Sequence, residues 1–222
     1  MDIWYKICLG IVGTYKTLFI RKVEVVGEEN IPPGPKIFIA NHPRISDSFV
    51  LPFIVREKLY FLIQADSFTV PILGRLLALA DQIPVTLGQG REALNVAIER
   101  LAEGGSVVIY PEGRLNPARD LRRAGAGASI LALESGAPVV PLGFYVPEEY
   151  SRVFKGHLHG RVNYGYFQVG GPCIVNIGQP WKPLIDEFDQ SYRALREVTQ
   201  QMMNQVMDLV EQAKAEASKY GY

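Results

Sequence analysis

Two short apolar runs, each of strand length, end abruptly at polar side chains accompanied by a proline. The first run, residues 37–40, leads into His42 and Pro43, and the second, residues 106–110, leads into Pro111. Proline cannot donate to a strand ladder and biases the preceding residue away from helical geometry, so both strands stop there. In open α/β sheets, ligands bind where the carboxyl ends of the strands meet. The two runs therefore predict one functional site at that edge of a sheet.

Strand-length apolar runs alternate with amphipathic segments over most of the chain. Further strands are predicted at residues 23–26, 59–64, 83–85 and 139–146, and helices at residues 48–57, 90–103 and 125–135. Such alternation indicates a mostly parallel sheet with right-handed crossovers, flanked by helices. Residues 153–179 instead alternate short runs with glycine turns, which indicates an antiparallel hairpin at the edge of the sheet. At 222 residues, the chain fits a single α/β domain.

Both ends of the chain are predicted to be helical, which divides it into residues 1–22, an α/β domain at residues 23–185, and residues 186–222. The first segment is apolar, with four cations against one acid. It suits a helix lying in an anionic membrane interface, and equally a helix packed on the core of the domain. Its unbroken apolar run, residues 7–13, is too short to span a bilayer, and no signal-peptide cleavage site follows it. The last segment carries apolar residues every three or four positions, which predicts a helix packed on the domain.

Composition excludes several classes of partner. The 23 basic and 23 acidic side chains balance, so nothing favours a nucleic-acid partner. Cys8 and Cys173 are far apart and match no metal-binding spacing, which favours reduced thiols on the cytosolic side. His157 and His159 would share one strand face, but no third ligand is evident, so exposed hairpin histidines are favoured over a metal pair. No metal site is therefore expected.

Asp47 lies at the predicted start of the helix that follows His42, so the two side chains can meet across the turn. Imidazole titrates near neutrality, and a carboxylate on its other nitrogen fixes its tautomer and orientation. The pair therefore suits a general base. The alternative is an ordinary capping or surface arrangement. The second polar cluster, at residues 111–114, favours the catalytic interpretation.

Three motifs, in this order and spacing, resemble successive blocks of the glycerolipid acyltransferases, the family of the lysophosphatidic acid acyltransferases. They are Asn41-His42 with Asp47 after four intervening residues, Tyr110-Pro111-Glu112-Gly113-Arg114, and Gly136-Ala137-Pro138-Val139-Val140-Pro141. The resemblance extends from residue 23 to residue 181. It implies a membrane-associated O-acyltransferase of phospholipid biosynthesis that moves a fatty acyl group from acyl-CoA or acyl carrier protein to the hydroxyl of a lysophosphatidic acid-like acceptor. It also implies a peripheral or monotopic protein on the cytoplasmic face of the membrane, with no cofactor.

The resemblance assigns roles to the residues of the first motif. His42 would act as the general base and Asp47 would orient it, while Asn41 would either hold the turn or contact the acceptor. The sequence contains no Gly-x-Ser-x-Gly motif and no suitable thiol nucleophile. Direct attack of the acceptor hydroxyl on the thioester is therefore favoured over an acyl-enzyme.

The other two motifs would build the substrate pocket. By resemblance, Glu112 and the Gly113 amide would shape the space for the acceptor. Pro138, Val140 and Pro141 would form a wall of the same pocket. These assignments follow from the family motifs and not from the spacing of the residues.

The arginines depart from the family pattern. Many members read Glu-Gly-Thr-Arg-Ser, whereas here Arg114 follows Gly113 directly. A second arginine is expected where this chain has Thr86, so Arg75 or Arg91 would have to substitute for it. A planar guanidinium binds a phosphate through two hydrogen bonds only when it is correctly placed. The displaced arginines therefore weaken the case for glycerol phosphate as the acceptor. Another lysophospholipid, an amino-lipid, or a lipid-binding member without turnover are the alternatives.

Two further segments allow more than one interpretation. Residues 114–123 carry four arginines and one acid, which suits either a solvated basic loop or an anion site. Residues 68–80 are apolar nearly all round. They would be buried in the core, line an acyl-chain channel or dip into lipid, and burial in the core is favoured.

Overall fold

The computed structural model of the chain describes residues 2–116, 124–158, 160–183 and 190–219. The helices are α1 (Ile3–Phe19), α2 (Asp47–Ile54), α3 (Leu73–Leu79), α4 (Gly90–Ala102), α5 (Gly127–Ser135) and α6 (Tyr192–Lys219). The strands are β1 (Lys22–Val26), β2 (Ile37–Ala40), β3 (Leu59–Gln64), β4 (Ile83–Val85), β5 (Ser106–Ile109), β6 (Val139–Tyr145), β7 (Ser151–Leu158), β8 (Arg161–Gln168) and β9 (Pro172–Ile177). Three short 3-10 helices occupy Glu28–Asn30, Ala65–Thr69 and Glu148–Tyr150.

Seven strands of the described residues form one sheet in the order β1-β9-β6-β2-β5-β3-β4. Strands β6, β2, β5, β3 and β4 run parallel to one another. Strand β9 runs antiparallel to β6 and pairs in parallel with β1. Strands β9 and β1 therefore run in the opposite direction to the other five. The predicted α/β class and the mostly parallel sheet are confirmed.

Alternate residues of the central strands enter different cores, because successive side chains of a strand point to opposite faces. In β2, Phe38 and Ala40 join a core that includes α2, while Ile37 and Ile39 join one built with α4, α5 and α6. All four side chains are fully buried. This two-sided burial explains why the strand reads as an unbroken apolar run.

The predicted antiparallel hairpin is present, but it is a separate sheet of two strands, β7 and β8, and not an edge of the main sheet. Its base is tied to the turn after β2. The Ile45 N–H donates to the Tyr166 carbonyl (2.9 Å), and the Gln168 N–H donates to the Ser46 hydroxyl (3.0 Å). The hairpin thus leaves the domain beside the turn that carries the first motif.

The N-terminal helix packs on the domain, as one of the two interpretations of its composition predicted, and its other side is exposed. Asp2 caps it by accepting the Tyr5 N–H (2.8 Å), and the same carboxylate pairs with Lys58 (2.6 Å), which lowers the pKa of Asp2 to about 2. The Leu59 N–H donates to the Tyr5 hydroxyl (3.1 Å), and α1 packs against α2 and α3. The side of the helix turned away from the domain exposes Ile3, Trp4, Ile7, Ile11 and Leu18. Within the described part of the chain, no helix is both long and apolar enough to cross a bilayer.

The C-terminal helix packs on the domain as predicted. Met202, Val206 and Val210 of α6 are fully buried, and the helix lies along β6, β9 and α5. Close approach depends on Gly143 of β6, where an added Cβ would lie 2.5 Å from backbone atoms of α6. The helix begins at Tyr192, so the predicted start of the segment at residue 186 lies outside the described residues.

Candidate active site

A cavity of about 550 Å³ lies at the carboxyl ends of β2 and β5, the edge that the sequence predicted. Its lining is mostly apolar and comes from α1, α2, α3 and the loop after β5. Cys8 and Val12 of α1, Phe49 of α2 and Leu77 of α3 are among the lining residues. Such a space accommodates an extended apolar chain. The sequence did not lead us to predict that α1 lines this space. The available signal was that apolar residues of α1 occur on two sides of the helix.

Helix α3 contributes to the cavity lining, which contradicts the favoured burial of residues 68–80 in the core. Leu73 and Leu77 line the cavity, while Ile72 is largely exposed. The buried position within α3 is Gly74. Only glycine fits there, because an added Cβ would lie 1.9 Å from the Phe68 carbonyl oxygen. The segment therefore matches the alternative of a channel lining.

His42 lies on the cavity and stacks flat on the ring of Tyr110, with centroids 3.9 Å apart and planes 13° from parallel. The Tyr110 hydroxyl is 2.9 Å from the Ser48 hydroxyl, which fixes the ring beneath the imidazole. Burial lowers the pKa of His42 from 6.5 to about 4, because the charged form is disfavoured away from water. At neutral pH the imidazole is therefore uncharged. Tyr110 belongs to the second motif, but the sequence did not indicate that its ring stacks on His42.

Asp47 is buried at the start of α2, where its carboxylate first serves the turn. Oδ2 accepts the Arg44 N–H at 2.7 Å, and the Asp47 N–H donates back to the Arg44 carbonyl (3.3 Å). Among the described residues, Nδ1 of His42 is buried without a hydrogen-bond partner. No hydrogen bond therefore joins Nδ1 to Asp47 here, and the orienting role of Asp47 stays a prediction.

Arg44 is a buried cation that the sequence reasoning passed over. Its Nε donates to the Ser151 hydroxyl (2.9 Å) and its Nη2 to the Val146 carbonyl (3.1 Å). Val146 directly follows β6, and Ser151 begins β7. The side chain thus fixes the turn after β2 to the end of the neighbouring strand β6 and to the start of the hairpin. Its position between two matched motif residues, His42 and Asp47, was the available signal.

Asn41 holds the turn, which is one of the two roles left open for it. Its side-chain Nδ2 donates to the Phe144 carbonyl (2.9 Å), and its Oδ1 accepts the Phe144 N–H (2.8 Å). The amide thereby extends the pairing of β2 and β6 by one residue beyond Ala40. Both ends of the amide are occupied by backbone, and the residue is buried.

The loop after β5 is joined directly to the turn after β2. Gly113 adopts φ +68°, a left-handed conformation that glycine tolerates, and its N–H donates to the Tyr110 carbonyl (2.9 Å). Asn116 N–H donates to the His42 carbonyl (2.8 Å), and Gln64 Nε2 donates to the Gly113 carbonyl (3.0 Å). The two polar clusters predicted from the sequence therefore belong to one site. Glu112, in the same loop, is half-buried.

The arginines occupy different positions relative to the cavity. Arg114 is exposed and lines it, whereas Arg75 and Arg91 lie outside its lining. Arg91 makes a bidentate ion pair with Glu134 of α5 (2.5 and 2.8 Å), and this carboxylate raises the pKa of Arg91. Of the three candidates, Arg114 is thus placed to meet a ligand in the cavity. The arginines at positions 119, 122 and 123 lie outside the described residues.

The structure places the predicted wall residues elsewhere. Pro138, Val140 and Pro141 do not line the cavity, because they lie at the beginning of β6, toward the opposite edge of the sheet. The Pro138 carbonyl accepts the Ile37 N–H (2.9 Å), and Val140 is fully buried. The third motif therefore supports the sheet, and a role for it in the pocket wall has no geometric basis here.

No cluster of three or more potential metal ligands occurs within residues 2–116, 124–158, 160–183 and 190–219. His157 is exposed on β7, while His159 lies outside the described residues. Cys173 is buried in the core, and burial raises the pKa of its thiol. Cys8 is half-buried on the cavity, where burial likewise raises its pKa and disfavours the nucleophilic thiolate.

Comparison with known proteins agrees with this site. A family model described as Acyltransferase matches residues 22–145. A 1-acyl-sn-glycerol-3-phosphate acyltransferase of Chlamydomonas reinhardtii is 31% identical over 128 residues, which cover 54% of this chain and 38% of that protein. A Pseudomonas aeruginosa protein of the same name is 30% identical over 125 residues, covering 54% of this chain and 48% of its own length. The chain thus aligns with less than half the length of these two relatives.

A solved structure extends the likeness to the whole fold. The 1-acyl-sn-glycerophosphate acyltransferase PlsC from Thermotoga maritima superposes with a TM-score of 0.68, covering 95% of this chain and 81% of that one. Its sequence identity is 22%, so this comparison concerns the fold. The family model, by contrast, covers more than half of the chain and includes both polar motifs of the site. This confirms the resemblance that the motifs predicted: the chain belongs to the acyltransferase family.

Proposed function

We propose that the chain is an O-acyltransferase of phospholipid biosynthesis that acylates the hydroxyl of a lysophosphatidic acid-like acceptor. The observation that carries the proposal is the uncharged imidazole of His42 on the border of a largely apolar cavity. The cavity offers space for a fatty acyl chain. The imidazole is the one group of the first motif that can accept a proton there.

In the proposed reaction, His42 accepts the proton of the acceptor hydroxyl as that oxygen attacks the thioester carbonyl of acyl-CoA or acyl carrier protein. A carbon–oxygen bond forms, the carbon–sulfur bond breaks, and the proton passes from the imidazolium to the leaving thiolate. No covalent enzyme intermediate is needed, in keeping with the raised pKa of Cys8. Asp47 contributes a negative charge at the start of α2 that opposes the imidazolium charge.

We further propose that the reaction takes place at the cytoplasmic face of a membrane. The exposed apolar side of α1, with Lys6 and Lys16 on the same helix, has the composition of an interfacial helix. The opposite side of α1 lines the cavity through Cys8 and Val12. A lipid acceptor in the membrane would therefore have a short path to His42.

The decisive experiment measures thiol release from acyl-CoA in the presence of lysophosphatidate. His42→Ala should abolish turnover while leaving the thermal unfolding transition cooperative. Asp47→Asn keeps an acceptor for the Arg44 N–H but removes the charge, so it should lower the rate with little loss of stability. Asp47→Ala removes both and should lower the rate and the stability together. If Asp47→Asn were fully active, Asp47 would serve only the turn.

A His42→Ala/Asp47→Asn double variant tests whether the two residues act as a unit. Its turnover should be little lower than that of His42→Ala alone, because residues that act together lose their effect together. Independent, multiplying losses would contradict a shared role. Tight binding of a lysolipid by the wild type without any thiol release would instead favour a lipid-binding member of the fold.

Arg114 is the proposed anchor for the acceptor phosphate. A charge-assisted hydrogen bond contributes about 1.5–3 kcal/mol, so Arg114→Ala should raise the KM for lysophosphatidate about ten- to a hundred-fold. Arg91→Ala is the matched control, because that guanidinium is paired with Glu134 outside the cavity lining. An acceptor without the phosphate should show the same KM with wild type and Arg114→Ala. Equal damage with both acceptors would show that Arg114 serves the fold or the acyl donor and does not bind the acceptor phosphate.

A further inference from the structure

The hairpin of β7 and β8 carries a surface that the acyltransferase match does not include, since that match ends at residue 145. Both faces of its outer part are exposed. Large apolar side chains lie on both strands, with exposed fractions of 53% for Val153, 56% for Phe154, 45% for Val162 and 55% for Tyr164. Exposed apolar side chains concentrated in one projecting element mark an interaction surface.

The charge of the hairpin has one sign. Residues 151–168 contain Arg152, Lys155 and Arg161 but no aspartate or glutamate. All three cations are exposed, and each face of the hairpin carries at least one of them beside apolar side chains. Long basic side chains beside aromatic and aliphatic ones are the composition of a surface that enters an anionic lipid interface.

A line of aromatic contacts makes the hairpin continuous with α1. Phe154 meets Phe167 edge to face (5.6 Å between centroids), Phe167 contacts Tyr15 of α1 (6.2 Å), and Tyr15 contacts Phe19 (5.0 Å). The Tyr15 hydroxyl also donates to the Gln168 carbonyl (2.5 Å). The two elements are therefore fixed to each other at the base of the hairpin. The exposed apolar side of α1 and the hairpin extend from this common base.

The base of the hairpin also lies beside the cavity. Ile45 lines the cavity, and its N–H donates to the Tyr166 carbonyl of β8 at 2.9 Å. A membrane that contacted both α1 and the hairpin would thus lie close to the cavity. The lysophosphatidic acid-like acceptor proposed above is itself a membrane lipid.

We propose that the β7–β8 hairpin is a second lipid-contacting element, which docks on an anionic bilayer surface together with α1. The inference rests on the membrane location given under the proposed function and adds the element that would fix the orientation of the domain. Apolar side chains enter the headgroup region while Lys155, Arg161 and Arg152 meet lipid phosphates. An acidic carrier protein would use the cations but would leave Phe154 and Val162 without an apolar partner, so the lipid surface is the better fit.

Charge removal provides the first test. The variant K155Q/R161Q removes two exposed cations of the hairpin, and R193Q/K214Q removes two exposed cations of α6, on the opposite face of the sheet. Each cation near an anionic leaflet contributes about five-fold to binding at low salt, so the hairpin variant should bind about twenty-five-fold more weakly. The probe is the full chain with vesicles of equal parts phosphatidylcholine and phosphatidylglycerol, measured by sedimentation. The α6 variant should bind as the wild type does.

Insertion of the apolar side chains provides a second test that does not weaken the hairpin. Phe154→Trp keeps a large aromatic ring, and Tyr192→Trp places a tryptophan at an exposed position of α6. Vesicles of the same headgroup composition with brominated acyl chains should quench the added emission of the first variant and not that of the second. Equal quenching of both, or quenching of neither, would overturn the proposal.

The outcomes separate this inference from the proposed function. If K155Q/R161Q binds vesicles as the wild type does, the hairpin does not contact lipid. If K155Q/R161Q binds vesicles normally but loses turnover only with an acyl carrier protein donor, the hairpin recognises the carrier. If thiol release fails with every lysolipid, the proposed function is wrong, yet the vesicle measurements still decide the role of the hairpin.

Discussion

Replacement of His42 by glutamine tests the account of the site through the pH dependence of folding. Burial lowers the pKa of His42 to about 4, whereas a histidine of the unfolded chain titrates near 6.5. Between these values the unfolded state binds a proton that the native state does not. The wild type should therefore lose stability as the pH falls through 6.5 toward 4. Glutamine does not titrate, so the variant lacks this contribution.

The size of the effect follows from the difference between the two pKa values. A gap of about 2.5 pKa units corresponds to about 3 kcal/mol, of which about 2.5 kcal/mol develops between roughly pH 7.5 and pH 4.5. The free energy of unfolding of wild type minus that of His42→Gln should fall by this amount over that interval. Contributions from the other titratable groups cancel in the difference.

Urea denaturation of both proteins at a series of pH values measures this difference. The sign of the result is more informative than its size. If Asp47 held the imidazolium in solution, the pKa of His42 would lie above 6.5, and the wild type would gain stability relative to the variant on acidification. A difference that rises at low pH would thus refute the buried, uncharged imidazole. A flat difference would show that His42 is solvated in the native state.

Three substitutions test the framework around the site, each measured by urea or thermal denaturation. Asn41→Ala leaves the N–H and carbonyl of Phe144 without their partners, so it should lower the free energy of unfolding by about 2–3 kcal/mol while leaving the KM for the acceptor unchanged. Gly143→Ala forces a Cβ against the backbone of α6 and should lower the melting temperature sharply. Gly10→Ala, in the interior of α1 with nothing within 4 Å of the added atom, should instead stabilise by about 0.5–1 kcal/mol. Stability of Gly143→Ala equal to that of Gly10→Ala would contradict the packing of α6 on β6.

The main sheet could be predicted because its strands are buried on both faces. The strands at 59–64 and 83–85 were predicted with their exact bounds, since each is a short, mostly apolar run preceded by a polar residue and followed closely by another. Predictions failed where an end depends on tertiary contacts. The helix predicted at 48–57 is α2, which ends at Ile54 because Val55 turns to an extended conformation on its way into β3. No local residue signals that turn.

The position of the hairpin could not be read from the sequence. Alternating runs and glycine turns predicted two antiparallel strands, and these are present. Whether they join the main sheet depends on which edges are free. Strand β9 pairs with β6 and with β1, and the hairpin is fixed to the turn after β2 through Tyr166 and Gln168. The two hydrogen bonds between the hairpin and that turn link residues more than a hundred positions apart in the chain.

The site was predictable to the level of strand ends and no further. Two runs ending in polar residues indicated one edge, and the Asn116–His42 backbone hydrogen bond joins the two loops there. The sequence did not indicate which polar groups serve the fold. Asn41 is occupied by Phe144, and Asp47 by the Arg44 N–H. In both cases the partner is backbone, and a motif read as side chains alone cannot show it.

The double demand on Asp47 connects the fold of the turn with the proposed chemistry. Proton transfer to His42 creates an imidazolium in a site where burial already lowers the imidazole pKa to about 4, so a nearby negative charge must offset the cost. The Asp47 charge acts on the Tyr110 ring beneath the imidazole, whereas desolvation is the cause that lowers the pKa of His42. Burial is the chief cause that raises the pKa of Tyr110, and the Asp47 charge raises it further, while the Tyr110 ring stacks on the imidazole. In the proposed mechanism, one carboxylate holds the turn through Oδ2 and opposes the charge of the imidazolium once proton transfer has created it. Loss of rate in Asp47→Asn without loss of fold is the result that this argument requires.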